Sequence, residues 1–151
     1  MDNKENELDS KVMNQKLMSN TFPDGGQGVF LDNDIKSFFD DLLLSLSIKK
    51  SDVIRNANIA RTYGYQIFDG SRIASRDYYL RIAIAMKLDL RTTQRMLAVT
   101  QTGGLHSLIR RDAAIIFAIN NLYDNVRTYD FMLELGLVPL EKDDSDYDSY
   151  E

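Results

Sequence analysis

The chain has no cysteine and no tryptophan, a single histidine and two prolines among its 151 residues. Without cysteine it can form neither a disulfide framework nor a thiolate metal site, and the expected compartment is the cytoplasm. His106, the only histidine, cannot build a multi-histidine metal site and reads as a loop residue. Long hydrophobic runs are also missing. The longest, residues 113–119, is far short of the roughly 20 apolar residues that a membrane-spanning helix requires. The opening Met-Asp-Asn-Lys-Glu-Asn is not expected to act as a signal peptide, since it lacks the charged-then-apolar plan. The Gly25-Gly26-Gln27-Gly28 run has no following Lys-Ser or Lys-Thr, so it is not a phosphate loop. The carboxylate pairs Asp40-Asp41 and Asp143-Asp144 lack the Gly-rich or basic company that phosphoryl transfer demands. No active site or cofactor motif is found, and the protein is not expected to be an enzyme.

The net charge of −5 is distributed unevenly. Residues 1–33 carry six acids against three lysines, and residues 141–151 carry six acids against Lys142. Residues 34–140 hold fourteen basic and eleven acidic side chains, and within them residues 49–111 hold twelve basic against four acidic, a local balance of +8. An acidic average therefore conceals a basic middle, the charge distribution that a nucleic acid attracts. Residues 1–33, polar and rich in turn formers, are expected to form a mobile arm. Residues 141–151 have too few apolar side chains to offset chain entropy and are expected to form a disordered acidic tail.

Between them apolar residues recur at spacings of three and four, which predicts an all-α domain over residues 34–140 with seven helices. Asp34 caps a first helix whose face is Ile35, Phe38, Phe39, Leu42, Leu43 and Leu46. Lys50 or Ser51 opens a short second helix through Val53, Ile54 and Ala57. A third covers about residues 61–68 and stops at Asp69-Gly70. Ser75 caps a fourth, which buries Tyr79, Leu80, Ile82, Ala83, Met86 and Leu88. Thr92 or Thr93 begins a fifth, through Val99. A sixth, about 107–122, is apolar nearly all round, as befits either a central helix or half of a dimer interface. A seventh, 128–135, ends at Gly136 with Pro139 beyond.

A short helix, a four-residue connection Ala57-Asn58-Ile59-Ala60 and a second short helix make the plan of a helix-turn-helix. Asn58 falls where that turn needs a residue tolerant of the left-handed region, and Ile59 plugs the angle between the helices. In a major-groove reader the first helix sets its amino end, here Lys49, Lys50 and Ser51, on phosphates. The second helix offers its first turn, Arg61 and Thr62, to base edges, followed one turn on by Tyr65 and Gln66. Arginine suits a guanine edge and glutamine an adenine edge. Ser71 and Arg72 flank the unit as further phosphate contacts. Of the tyrosines at 63, 65, 78 and 79, at least two are expected in the core.

Residues 49–90, with Lys-Lys-Ser-Asp-Val-Ile-Arg-Asn-Ala-Asn-Ile-Ala-Arg-Thr-Tyr-Gly-Tyr-Gln-Ile-Phe-Asp-Gly-Ser-Arg at 49–72 and Tyr-Tyr-Leu-Arg-Ile-Ala-Ile-Ala-Met-Lys-Leu at 78–88, resemble the lambda-repressor-like, Xre-type helix-turn-helix transcription regulators. With Arg110-Arg111-Asp112-Ala113, more of the chain looks like a subgroup of small bacterial regulators. The resemblance implies a lambda-repressor-like bundle extended by two or three C-terminal helices. It also implies that Lys50 contacts phosphate and base, and that Arg61, Thr62, Tyr65 and Gln66 face outward on a recognition helix. Ile54 stands where most members have Ala, and Gly64 where most have Val or Ile, so bulk at 54 is expected to compensate for its absence at 64.

The expected function is thus sequence-specific binding of double-stranded DNA by a homodimer, the apolar sixth helix and Phe131, Met132, Leu135 and Leu137 offering the dimer surface. The alternative is a helical adaptor that keeps the fold but binds protein, which Gly64, the tyrosine-rich third helix and the negative net charge favour. The acidic tail is expected either to aid solubility or to compete with DNA for the basic middle. If it competes, deleting residues 141–151 will tighten nonspecific DNA binding at low salt, measured by filter retention; unchanged retention leaves the solubility role.

Overall fold

The Asp34 carboxylate accepts hydrogen bonds from the Ser37 amide at 3.2 Å and the Ser37 hydroxyl at 2.7 Å, so an orphan donor at the start of the first helix is satisfied. These contacts also hold its carboxyl below the ordinary carboxylate range. The structure, a computed structural model, describes residues 34–140; the expected arm at 1–33 and tail at 141–151 lie outside the described residues. Among the described residues the fold is all-α, with seven helices: α1 Ile35–Leu46, α2 Lys50–Asn56, α3 Arg61–Asp69, α4 Arg76–Ala85, α5 Leu90–Val99, α6 Arg110–Asn120 and α7 Asn125–Glu134. None is long and apolar enough to cross a membrane.

The expected helices all form, and α5 and α7 start earlier than expected for the same reason. Asp89 caps α5 by accepting from the Thr92 amide at 2.8 Å, and Asp124 caps α7 by accepting from the Arg127 amide at 2.8 Å. Each helix therefore begins earlier than its first threonine, and Thr93 and Thr128 instead bond back to the carbonyls of Asp89 and Asp124. Ser75 stands at the start of α4 but makes no side-chain capping bond to it. α6 begins at Arg110 because residues 103–109 form the loop that brings it back to α4.

α4 lies at the centre, packed against α2, α5 and α7, while α1 rests on α3 and α5. The core is continuous, and its aromatic heart joins three helices. The ring of Phe39 lies 4.7 Å from that of Phe68, edge to face, and 6.3 Å from that of Tyr79, stacked. Tyr79 is wholly buried, and its hydroxyl accepts from the Ala74 amide at 3.2 Å. Burial pushes its pKa up, that hydrogen bond opposing the shift in part. Tyr63 and Tyr78 pack edge to face at 5.3 Å. Of the four tyrosines only Tyr65 is exposed.

Two arginine–aspartate forks fasten α6 to α4 through their first turns. Arg76 meets Asp112 at 2.7 and 3.2 Å, and Arg111 meets Asp77 at 2.9 and 3.1 Å. The dipeptide Arg76-Asp77 thus faces Arg111-Asp112 in crossed order. Arg76 also donates to Gly104 O, and Arg111 to the carbonyls of Val138 and Pro139, so the loop before α6 and the segment after α7 close onto the same junction. Burial would raise the Asp112 pKa, but bonds from Arg76 and the His106 amide outweigh it and hold the carboxyl below 3.8.

At Gly64 the bare backbone of α3 lies against Ile54 of α2. A Cβ there would lie 2.6 Å from Ile54 Cγ2 and 2.8 Å from Ile54 Cγ1, both atoms fixed next to the Ile54 Cβ. Bulk at 54 does occupy the space left at 64.

Two outcomes test these contacts. Gly64→Val should lower Tm by roughly 5 to 15 °C, the effect of about 1 to 3 kcal/mol of overpacking in a domain of this size. Combined with Ile54→Ala it should cost less than the sum of the two single changes, as read in a thermal double-mutant cycle. Arg76→Met leaves the buried Asp112 carboxylate unpaired and should cost about 3 kcal/mol near neutral pH. A carboxylate with a lowered folded pKa stabilises the fold above its unfolded pKa and loses that contribution as pH falls through the folded value. The Tm gap between wild type and Arg76→Met should therefore narrow as pH drops below about 4.

Candidate nucleic-acid interface

α2 and α3 are joined by Ala57, Asn58, Ile59 and Ala60, and the geometry of this turn depends on three side chains. Asn58 adopts φ 56, inside the left-handed region that Asn tolerates better than most residues. Ile59 is wholly buried between the helices. The third is Arg81 of α4, a buried residue whose Nε donates to Ala57 O at 2.8 Å and whose terminal nitrogen donates to Asn58 O. Its guanidinium faces the carbonyl end of α2, where the helix dipole is negative, and lies over the Tyr78 ring at 5.5 Å. Asn125, the first residue of α7, bridges Asn56 O and Arg81 O at 3.1 Å each. The turn is therefore held from behind by two helices.

On this frame α3 buries Gly64, Ile67 and Phe68 and exposes Arg61, Thr62 and Tyr65, with Gln66 half-buried. Arg61 and Tyr65 stand beside Ser51 and Arg55 of α2, around a surface hollow of about 270 Å³ floored by Ile54. Arg55 is also within 3.0 Å of Asp52. Arg55 was visible in the sequence only as part of the basic run, but it lies four residues after Ser51 and so shares its face of α2.

Lys49 is exposed at the start of α2. Lys50 is turned the other way: its Nζ lies 3.9 Å from Asp40 and 5.9 Å from the Phe68 ring. Asp40 is held mainly by Lys36 at 2.6 Å, which lowers its pKa. At the end of α3, Asp69 accepts from the Ser71 amide at 2.8 Å; the Ser71 hydroxyl and that amide lower its pKa. The Arg72 amide closes the loop on Gln66 O at 3.2 Å, and its side chain is exposed. Six of the nine expected site residues fall into two groups, while Lys49, Thr62 and Gln66 belong to neither. Ser51, Arg61 and Tyr65 surround one hollow with Arg55, whereas Lys50, Ser71 and Arg72 belong to the far end of α3.

The basic middle is also less available than its charge suggests. Arg76 and Arg111 are committed to the forks, Arg81 to the turn, and Arg110 donates to Leu135 O. The cations exposed around α2 and α3 are Lys49, Arg55, Arg61 and Arg72. Comparison with protein-family models, curated proteins and solved structures finds no match to this chain.

Proposed function

We propose that the protein is a sequence-specific DNA-binding transcription regulator of the lambda-repressor-like, Xre type, reading the major groove with α3. The observation that carries this is the division of α3 into a buried face and an outward one of Arg61, Thr62, Tyr65 and Gln66, presented on a short turn pinned by Arg81. Arg61 and Gln66 take base edges, and Lys49, Arg55 and Arg72 neutralise phosphates. The four exposed cations make binding salt-dependent without making it strong on every sequence.

The protein acts as a homodimer on paired half-sites, since one short helix reads too few bases for useful specificity. Of the surface expected for the second copy, Met132 is wholly buried in the core and Phe131, Leu135 and Leu137 are half-buried; Phe117 of α6, Leu133 of α7 and Ile109 just before α6 are the exposed apolar side chains there that are available to it. The same surface also favours the second reading, an adaptor that binds protein with this face and no specific DNA.

Fluorescence anisotropy of the wild type and Arg61→Ala on fragments of the DNA flanking its own gene, at salt between about 50 and 200 mM, tests the proposal. One fragment should bind tightly and Arg61→Ala should weaken it by roughly 5- to 150-fold, as loss of one base contact does. Weak binding of every fragment alike by both proteins overturns the sequence-specific reading and leaves the adaptor reading to be pursued.

A further inference from the structure

The outward face of α2 and α3 is polar except at its middle. There Ser51, Ile54, Arg55, Arg61 and Tyr65 line the open hollow, and its exposed lining is almost entirely carbon. Gly64 creates this shape, because Ile54 settles onto the bare backbone of α3, is nearly wholly buried, and leaves Tyr65 and the stems of two arginines above it. Water over carbon surface in such an open hollow finds few partners, so an apolar group laid against that surface is favoured. In the major groove the four bases offer one such group, the 5-methyl of thymine. Resting on the DNA-binding reading above, we infer that the hollow is a thymine-methyl site, with Tyr65 as its specificity-determining wall and Arg55 and Arg61 gripping the flanking phosphate and base edge.

The site discriminates by contact alone. Uracil and cytosine, which lack the methyl, leave the hollow unfilled but clash with nothing, so the preference is modest, about three- to fivefold per methyl buried. It depends on the ring at 65 and not on its hydroxyl, because a methyl group makes no hydrogen bond.

The test begins with the full chain retaining duplexes from a random 30-base-pair pool through successive rounds. The enriched duplexes are then resynthesised with deoxyuridine for thymidine. Uridine duplexes should bind the wild type and Tyr65→Phe about three- to fivefold or more weakly per site, and Tyr65→Ala should bind both versions alike. Equal binding of thymidine and uridine duplexes by the wild type overturns the methyl site and leaves DNA binding intact. A thymidine preference that survives in Tyr65→Ala also overturns it, since the methyl is then read elsewhere. A pool that never enriches removes the DNA-binding reading and the methyl site with it.

Discussion

The buried guanidinium of Arg81 makes the arrangement of α2 and α3 possible. The amides of Ala57, Asn58 and Ile59 fold back onto the carbonyls of Val53, Arg55 and Ile54 at the end of α2, and this leaves the carbonyls of Ala57 and Asn58 in the turn itself to be satisfied from outside it. Arg81 supplies donors to Ala57 O and Asn58 O from the middle of α4, and so makes the turn a fixed joint. Its own charge tolerates burial because it faces the negative end of the α2 dipole and the face of Tyr78. Asn125 then ties α7 to the carbonyls of Asn56 and Arg81. The C-terminal helices thereby become part of the joint's support, since whatever packs on α7 acts one hydrogen bond away from the turn.

Much of this was legible in the chain. Helix number and order followed from apolar spacing, because each helix here buries one face against a neighbour and keeps the period that burial imposes. Asn58 and Ile59 were readable because turn conformation and hydrophobic plugging are local demands on single residue types. The exchange of bulk between Ile54 and Gly64 was readable only through resemblance, since it needs a pattern to depart from. The starts of α5 and α7 were misplaced because threonine is a good cap in isolation, and here aspartate three or four residues earlier takes the role first.

Charge was the least legible quantity. Sequence arithmetic treats every arginine between 49 and 111 as equally available, but availability is a tertiary property. Arg76, Arg81 and Arg111 look no different from Arg61 in the chain, and nothing short of the fold says that three of them turn inward. Lys50 is a milder case: Asp40 and the Phe68 ring draw it toward α1, along the side of α3 away from Arg61. Of the cations that stay exposed around α2 and α3, only Arg55 and Arg61 stand at the carbon-lined hollow, with Lys49 and Arg72 farther off.

The two forks also join stretches of chain that lie far apart in sequence. Arg76-Asp77 meets Arg111-Asp112 in crossed order, and the same two arginines reach the carbonyls of Gly104, Val138 and Pro139. α4 and α6 share little other contact, so apolar packing between them does not decide how their first turns meet. A guanidinium held by two parallel bonds to a carboxylate fixes orientation as well as distance, and the pair of forks thus acts as a clasp that closes the C-terminal third of the chain onto the helix at its centre.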